Sequence, residues 1–168
     1  MKKCSVLLGG FVILFLSLIS IGVVYASHTS TSQYGYSTKE WKIGDIYDVG
    51  GVKGIVLALS SDKQHGLLLS LVETCDDWDD AEAWCRSLGR YWTLPTKMDL
   101  EKLHLAFDKI NERLEMAGCE TVKNDLYWSR ECSGDYDAYA VEVTKYYSQA
   151  RCYNKYNSNC YVRAVRNF

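Results

Sequence analysis

The chain has 168 residues and a formal net charge of −2, and seven of its residues are cysteines. This length suits one ordinary domain and leaves too little chain for two. A mildly acidic protein lacks the basic surface with which proteins bind nucleic acid, so that class of partner is excluded.

The N-terminal segment has the order of a secretory signal peptide. Lys2 and Lys3 give a positive start, and residues 6–24 are apolar apart from small residues and two serines. We therefore predict a signal peptide over residues 1–26, with cleavage after Ala26 and export to the periplasm, the cell surface or the medium. The apolar run is also close to the length of a membrane helix, so a retained anchor is the alternative.

The cysteines other than Cys4, which lies in the predicted signal peptide, agree with export. They are six, an even number, which indicates disulfides in an oxidising compartment. None of them forms the closely spaced C-x-x-C pair of a zinc site, so we expect no metal and no cofactor. Cys152 and Cys160 flank one predicted loop and are the first candidates for a bridge. The cysteines predicted to form disulfides are Cys75, Cys85, Cys119, Cys132, Cys152 and Cys160.

The domain is predicted to begin with strands. Residues 27–40 are rich in Ser, Thr, Gly and Tyr and lack periodicity, which is typical of a spacer. Trp41 opens the domain, which we place at residues 41–168. Apolar runs bounded by turn residues then predict strands at 46–49, 54–59 and 67–72.

Two helices follow. Apolar residues recur at helical spacing between Asp77 and Gly89. Acidic residues crowd the start of this helix; calcium binding is one interpretation, but capping and the helix dipole explain them better. Thr96 and Asp99 resemble a capping box with Asp in place of Glu, and they predict a second helix that ends at Gly118.

The last third of the chain returns to strands. In its final run, Arg163 and Val165 are predicted on one face and Val162 on the other. Strands, then helices, then strands within one domain form an α+β order. The predicted strands here are 126–129, 138–143 and 161–166.

Four motifs stand in an order that a known family shares. They are an aromatic-Leu-Pro-Thr sequence before a helix, a Tyr-Trp-Ser strand, an alternating strand and a Val-Arg-x-Val-Arg ending. The chain thus resembles the Legionella collagen-like protein C-terminal domain family, also described as the Fibrobacter major paralogous domain. It departs from the family pattern at Arg130, where a second Ser is common. The motifs lie at residues 91–96, 127–129, 138–143 and 162–166.

This resemblance implies a C-type-lectin-like fold. Two helices would pack on a two-part, mainly antiparallel sheet, with the chain ends paired. The resemblance also implies a cell-surface or secreted protein used for adhesion or recognition. Sugar-binding lectins coordinate calcium through Glu-Pro-Asn-like and Trp-Asn-Asp-like motifs, and neither sequence occurs here. Calcium-dependent sugar binding is therefore not expected.

We predict no catalytic residue. The chain contains no Gly-x-Ser-x-Gly, His-Glu-x-x-His or phosphate-cradling glycine loop. We interpret His28, His65 and His104 as surface residues. Asp135 and Asp137 could form an acid–base pair, but solvated loop acids are the better interpretation.

Binding has a positive signal in a tyrosine-rich region. Residues 127–161 hold eight of the thirteen tyrosines, and between residues 146 and 160 they mix with Ser, Asn and Arg. This composition is typical of paratopes, and loops on rigid scaffolds commonly carry recognition residues. The alternative is that several tyrosines lie on strands. The predicted contacts to an unknown protein or glycan are Tyr136, Asp137, Tyr147, Arg151, Tyr153, Asn154, Tyr156 and Asn157.

The sequence therefore predicts a noncatalytic recognition or adhesion domain of an exported bacterial envelope protein. The alternative is a structural component of the envelope or of an appendage, whose aromatic loop contacts a neighbouring subunit. A third hypothesis is a receptor diversified by retroelement mutagenesis of adenines. That process enriches Asn, Tyr and Ser codons, the residue types that dominate residues 152–159.

Overall fold

The computed structural model describes residues 39–168. The predicted signal peptide and residues 27–38 of the predicted spacer lie outside these residues. Within the described part, no helix is long and apolar enough to span a membrane. In chain order its elements are β1 (Ile46–Val49), β2 (Val52–Leu59), β3 (Gly66–Leu69), β4 (Thr74–Asp76), α1 (Trp78–Ser87), α2 (Lys97–Leu105), α3 (Phe107–Met116), β5 (Asp125–Cys132), β6 (Asp137–Val143), β7 (Ser148–Asn154), β8 (Cys160–Val162) and β9 (Val165–Asn167).

The strands form two sheets. One has the order β1-β2-β3-β9 and the other the order β4-β8-β5-β6-β7. All neighbours are antiparallel except β5 and β8, which meet in parallel at Tyr127 and Tyr161. The β1–β2 hairpin turns through Gly50 and Gly51, both at positive φ (60° and 80°), as a two-residue turn between antiparallel strands favours.

The predicted helix starts are confirmed. The Asp77 carboxylate accepts a hydrogen bond from the Asp80 amide at 3.0 Å and so caps α1. Thr96 and Asp99 form the reciprocal capping box. Asp99 is mostly buried, which opposes its ionisation, but hydrogen bonds from Lys102 and Thr96 hold its pKa below the ordinary value.

The predicted second helix is two helices. α2 ends at Leu105 and α3 begins at Phe107, with a break at Ala106. Leu103, Phe107 and Ile110 are all buried, so the helical spacing of apolar residues continues across the break. That continuity is why the sequence predicted a single helix.

The final predicted strand is also two elements. β8 belongs to the five-stranded sheet and β9 to the four-stranded sheet. Arg163 and Ala164 cross between the sheets, and both are fully buried. The sequence does not reveal that the chain moves from one sheet to the other here. Residues 161–166 have the composition of one continuous strand, although they contribute to two.

The ends of the domain meet, as the resemblance implied. The Trp41 ring lies 6.0 Å from the Phe168 ring and 4.8 Å from the Tyr47 ring, measured between centroids. The buried apolar residues form two clusters. The first core lies around Trp78 and Trp128, and the second core lies beneath α2 and α3. The predicted fold class, α+β with helices on a two-part, mainly antiparallel sheet, is confirmed.

The disulfide prediction is not met in this structure. Among the described residues, no two cysteines lie at disulfide distance. The proposed bridge between Cys152 and Cys160 is wrong, because β5 and β6 stand between their strands, β7 and β8. Burial raises the pKa of Cys85 and Cys160 to about 12, so both thiols are protonated and unreactive at neutral pH.

Candidate functional site

The predicted recognition loop is mainly a strand. Within residues 146–160, Ser148–Asn154 form β7, which lies at the open edge of the five-stranded sheet. Only the turn before β7 and residues 155–159 after it are loops. The sequence missed β7 because four consecutive residues of this edge strand are exposed, so it lacks the apolar alternation of a half-buried strand.

Two predicted contact residues form an exposed aromatic surface at one end of this sheet. Tyr136 is 68% exposed and Tyr156 is 73% exposed. They are held near each other because the Lys155 amide donates to the Tyr136 carbonyl at 2.8 Å. We call Tyr136, Lys155 and Tyr156 the tyrosine end.

The tyrosine end rests on a fixed base. The Lys155 carbonyl accepts a hydrogen bond from the Trp78 amide at 2.9 Å. Its ammonium lies 4.8 Å from the Trp78 ring centroid and donates to the Asp135 carbonyl at 3.1 Å. Lys155 and Trp78 were not among the predicted contacts. No local signal identifies them, because helix α1 and the loop after β7 meet only in the folded chain.

Two predicted asparagines have structural roles in the same loop. The Asn154 side chain accepts from the Tyr156 amide, and the Asn157 side chain accepts from the Asn159 amide, both at 3.1 Å. Side-chain acceptors that bond two residues onward form Asx turns. They fix the backbone around Tyr156, so the loop presents that ring from a defined position. Asp137 pairs across the strands with Asn154 at the base of this turn.

The other predicted contacts lie away from the tyrosine end. Arg151 and Tyr153 lie on the same face of β7, and the Arg151 guanidinium donates to Gln149 at 2.7 Å. Tyr153 is half-buried against the first core. Tyr147 stands at the opposite end of the hairpin and donates to Glu142 at 2.7 Å, a bond that raises the pKa of its phenol. The structure therefore does not bring all eight predicted residues to one site.

The acidic start of α1 is a helix cap in this structure. Carboxylate oxygens of Asp76, Asp77 and Asp80 lie within 4.8 Å of one another. The Asp76 side chain accepts from the Asp77 amide at 3.0 Å, and Asp77 caps the helix. Negative charge at the positive end of a helix dipole is stabilising. The geometry supports the capping interpretation of these acids.

One Ser, Asp and His cluster occurs among the described residues, in the turn after β2. Here the Ser60 hydroxyl donates to Asp62, while the His65 Nδ1 lies 3.0 Å from the other Asp62 oxygen. Hydrogen bonds from Ser60 and from the Gln64 amide hold the pKa of Asp62 far below its ordinary value. A nucleophilic serine must instead donate to the imidazole. This arrangement is turn chemistry, and it does not activate Ser60.

His104 also has a structural partner. Its Nδ1 lies 2.7 Å from the Thr144 carbonyl oxygen, which ties the last turn of α2 to the β6–β7 turn. The Thr144 hydroxyl in turn donates to the Tyr147 carbonyl at 2.8 Å. His104 therefore fixes the end of the hairpin opposite the tyrosine end. His28 lies outside the described residues.

Comparisons with known proteins give matches among solved structures only. No family model matches the chain, and no curated protein matches it significantly. The chain is similar to EMS16, described as an antagonist of collagen receptor integrin alpha2beta1, with a TM-score of 0.38 and 17% identity over 67% of this chain and 97% of that chain. It is also similar to botrocetin, with a TM-score of 0.36 and 16% identity over 62% of this chain and 89% of that chain. Both are snake-venom proteins with C-type-lectin-like folds.

Proposed function

We propose that this chain is a noncatalytic recognition domain of an exported bacterial envelope protein, and that the tyrosine end contacts its ligand. The observation that carries the proposal is the exposure of Tyr136 and Tyr156 on a base fixed by Lys155. Isolated exposed aromatics are unremarkable, but here two lie on turns that a backbone hydrogen bond joins. Such rings provide contact area at low conformational cost.

The chemistry of this surface suits a glycan or a polar protein surface. Tyrosine rings stack on the apolar faces of sugars or side chains, and their hydroxyls form hydrogen bonds at the edge. Lys155 adds a cation to this surface. Its ammonium group already donates one hydrogen bond to the Asp135 carbonyl and lies over the Trp78 ring, so only its remaining donors can reach a ligand. The motif resemblance to a bacterial adhesion family supports the same proposal.

Replacing Tyr136 and Tyr156 together with Ala is expected to abolish most ligand capture. Central aromatic contacts commonly account for about 2 kcal/mol each, so the double variant should bind on the order of 100- to 1,000-fold more weakly. The measurement is a glycan array followed by pull-down from envelope extracts. Exposed substitutions of this kind change stability by only about 0.5 kcal/mol, so folding should be preserved.

The matched control is Tyr146→Ala. Tyr146 is 84% exposed but lies in the turn at the other end of the β6–β7 hairpin, roughly 23 Å away along the strands. If the double variant still captures the ligand, or if Tyr146→Ala loses ligand capture to the same extent, the tyrosine end is not the contact surface.

The open edge of β7 supports a second candidate, a structural role in the envelope or in an appendage. The amide of Lys155 and the carbonyl of Tyr147 both bond toward β6. Because bonding direction alternates along a strand, the backbone groups of Ser148, Ala150 and Cys152 point outward. An unprotected edge is a template for pairing with another chain.

Ala150→Pro tests this second candidate. Proline removes an outward amide and leaves the bonds to β6 in place, so it should dissociate any polymer built through β7. Ala150→Thr retains the amide and is the matched control. Sedimentation of the two variants decides: assembly that persists in Ala150→Pro excludes the edge as the subunit contact.

Export rests on residues 1–26 and is part of the proposal. N-terminal sequencing of the chain recovered from cells tests it, since a start at Ser27 supports cleavage and an intact Met1 contradicts it. Retroelement diversification is a further proposal about residues 152–159. Sequencing of the locus across strains tests it, because adenine-derived substitutions should then cluster at residues 146–161, and an invariant sequence there would exclude it.

A further inference from the structure

A groove that no sequence motif predicted lies between the β1–β2 turn, the end of α1 and the last strand. Its volume is about 660 Å³, which is within the range of small-molecule sites. Apolar side chains line part of it, including those of Val52, Leu88 and Trp92. Trp92 is only 6% exposed, so this wall is fixed by the first core.

The polar part of the lining is cationic. Arg90, Arg166 and Lys53 line the groove, and no acidic side chain does so among the described residues. Lys53 is compensated by Asp48 at 2.9 Å. Neither Arg90 nor Arg166 has an ion-pair partner among residues 39–168. The Arg166 Nε is buried and without a hydrogen-bond partner in the described part of the chain, a state that buried donors seldom adopt.

Both guanidinium groups lie against the ring of one strained tyrosine, Tyr91. Tyr91 has a φ of 72°, a left-handed conformation that is unusual for a bulky residue. The guanidinium carbons of Arg90 and Arg166 lie 4.6 Å and 5.7 Å from its ring centroid. Strain of this kind persists only where the surroundings enforce it, and it concentrates at functional sites.

We propose that this groove binds a small carboxylate with an apolar body. The carboxylate lies at the guanidinium groups of Arg90 and Arg166, and the apolar body lies against Val52, Leu88 and Trp92. Planar guanidinium groups match the geometry of a carboxylate and form the stronger, charge-assisted hydrogen bonds.

A neighbouring groove of about 320 Å³ also contains Arg166 and Tyr91 but is a poorer anion site. Its lining includes Asp99, which carries negative charge at neutral pH. The proposed site shares no residue with the tyrosine end, so it goes beyond the proposed function and stands independently of it. A ligand here would be recognised in addition to whatever the tyrosines contact.

The test is an NMR titration of the full chain with phenylacetate and, separately, with phenylacetamide. The two probes have nearly the same shape and differ in charge. We expect saturable shifts of groove resonances with phenylacetate, at an affinity about tenfold higher than that for phenylacetamide. Arg90→Gln should weaken phenylacetate binding about tenfold, and Arg166→Gln should do the same.

Arg86→Gln is the matched control. Arg86 is exposed, lies on α1 outside the groove and pairs with Glu82, so its replacement should leave the titration unchanged. Because Arg90 is exposed, Arg90→Gln keeps the test valid even if Arg166→Gln disturbs folding. Equal affinity for the two probes, no saturable shift at millimolar phenylacetate, or full affinity in Arg90→Gln would each overturn the proposal.

Discussion

Replacing Arg163 with Met is expected to lower the free energy of unfolding by about 3–5 kcal/mol, the usual cost of breaking a buried ion pair. The Arg163 side chain is fully buried, and its Nε donates to Glu73 at 3.0 Å. The Glu73 side chain is only 3% exposed. Removal of the guanidinium would leave that carboxylate buried without its main counter-ion.

Arg163 also holds together the segments that cross between the two sheets. Its Nη1 donates to the Ser70 carbonyl at 2.9 Å, and its Nη2 donates to the Glu120 carbonyl. Beside it, the Ala164 amide donates to the Ser70 hydroxyl at 3.1 Å. The lower stability of Arg163→Met should therefore appear as a lower unfolding midpoint. It should also appear as faster exchange of the amide hydrogens of Ser70 and Ala164.

Tyr127 completes the environment of Glu73. Its hydroxyl donates to the carboxylate at 3.1 Å, and Lys123 places its ammonium 3.7 Å from the other oxygen. Burial and the adjacent Glu73 carboxylate raise the pKa of the Tyr127 phenol well above its ordinary value, so it remains a donor across the accessible pH range. These two groups alone are a poor substitute for the guanidinium, since Lys123 is part-exposed and its contact is long.

Urea unfolding followed by circular dichroism measures the effect. The double variant Arg163→Met with Glu73→Gln should recover part of the loss, because it removes the uncompensated charge. Arg86→Met, at an exposed ion pair, should cost less than about 1 kcal/mol and serves as the control. A loss below about 1 kcal/mol for Arg163→Met would show that the pair contributes little.

The sequence predicted those features that are determined locally. Asp77, Thr96 and Asp99 form their caps with residues only three positions away, so residue type and spacing are sufficient evidence. The same holds for the hairpin turn at Gly50 and Gly51, where the required backbone conformation favours glycine. Such features need no knowledge of distant partners.

The sequence could not predict features that depend on which distant segment a strand pairs with. Arg163 and Val165 were predicted to share one face of a single strand, yet Arg163 lies buried where the chain passes from β8 to β9. β4 has only three residues, too few for any periodicity. In both places the structure depends on contacts with segments distant along the chain.

For the candidate sites too, the sequence showed the residue types but not which residues lie together. Composition identified Tyr136 and Tyr156 as exposed aromatics, but it did not show that Lys155 joins them or that Tyr147 lies at the other end of the hairpin. Arg90 and Arg166 share no motif, and only the fold brings them to one tyrosine ring. Residue types suggest a kind of chemistry, whereas convergence on a site is a tertiary property.

Trp128→Ala is expected to destabilise the protein by about 4–6 kcal/mol, enough to unfold a marginally stable domain. A large buried aromatic truncated to Ala costs about 3–5 kcal/mol, and Trp128 is fully buried in the first core. Its Nε1 also donates to the Asp76 carbonyl at 3.0 Å. Loss of that hydrogen bond adds about 1 kcal/mol, the usual net contribution of one such bond.

The effect should extend to the tyrosine end because two tryptophans lock α1 onto the sheet. Trp128, on β5, donates to the segment before α1, and Trp78, on α1, donates back to the Ser129 carbonyl at 2.8 Å. Lys155 rests on Trp78. Trp128→Phe removes the donor but keeps most of the apolar volume, so it should cost about 1–3 kcal/mol.

Guanidinium unfolding followed by far-ultraviolet circular dichroism separates these contributions, since fluorescence itself changes when a tryptophan is removed. Trp84→Ala is the matched control. Trp84 lies on α1 and is only half-buried against the same core, so its truncation should cost about half as much as Trp128→Ala. If Trp84→Ala and Trp128→Ala prove equally destabilising, the reciprocal tryptophan bonds are not what fixes α1, and the base of the tyrosine end must depend on general core packing instead.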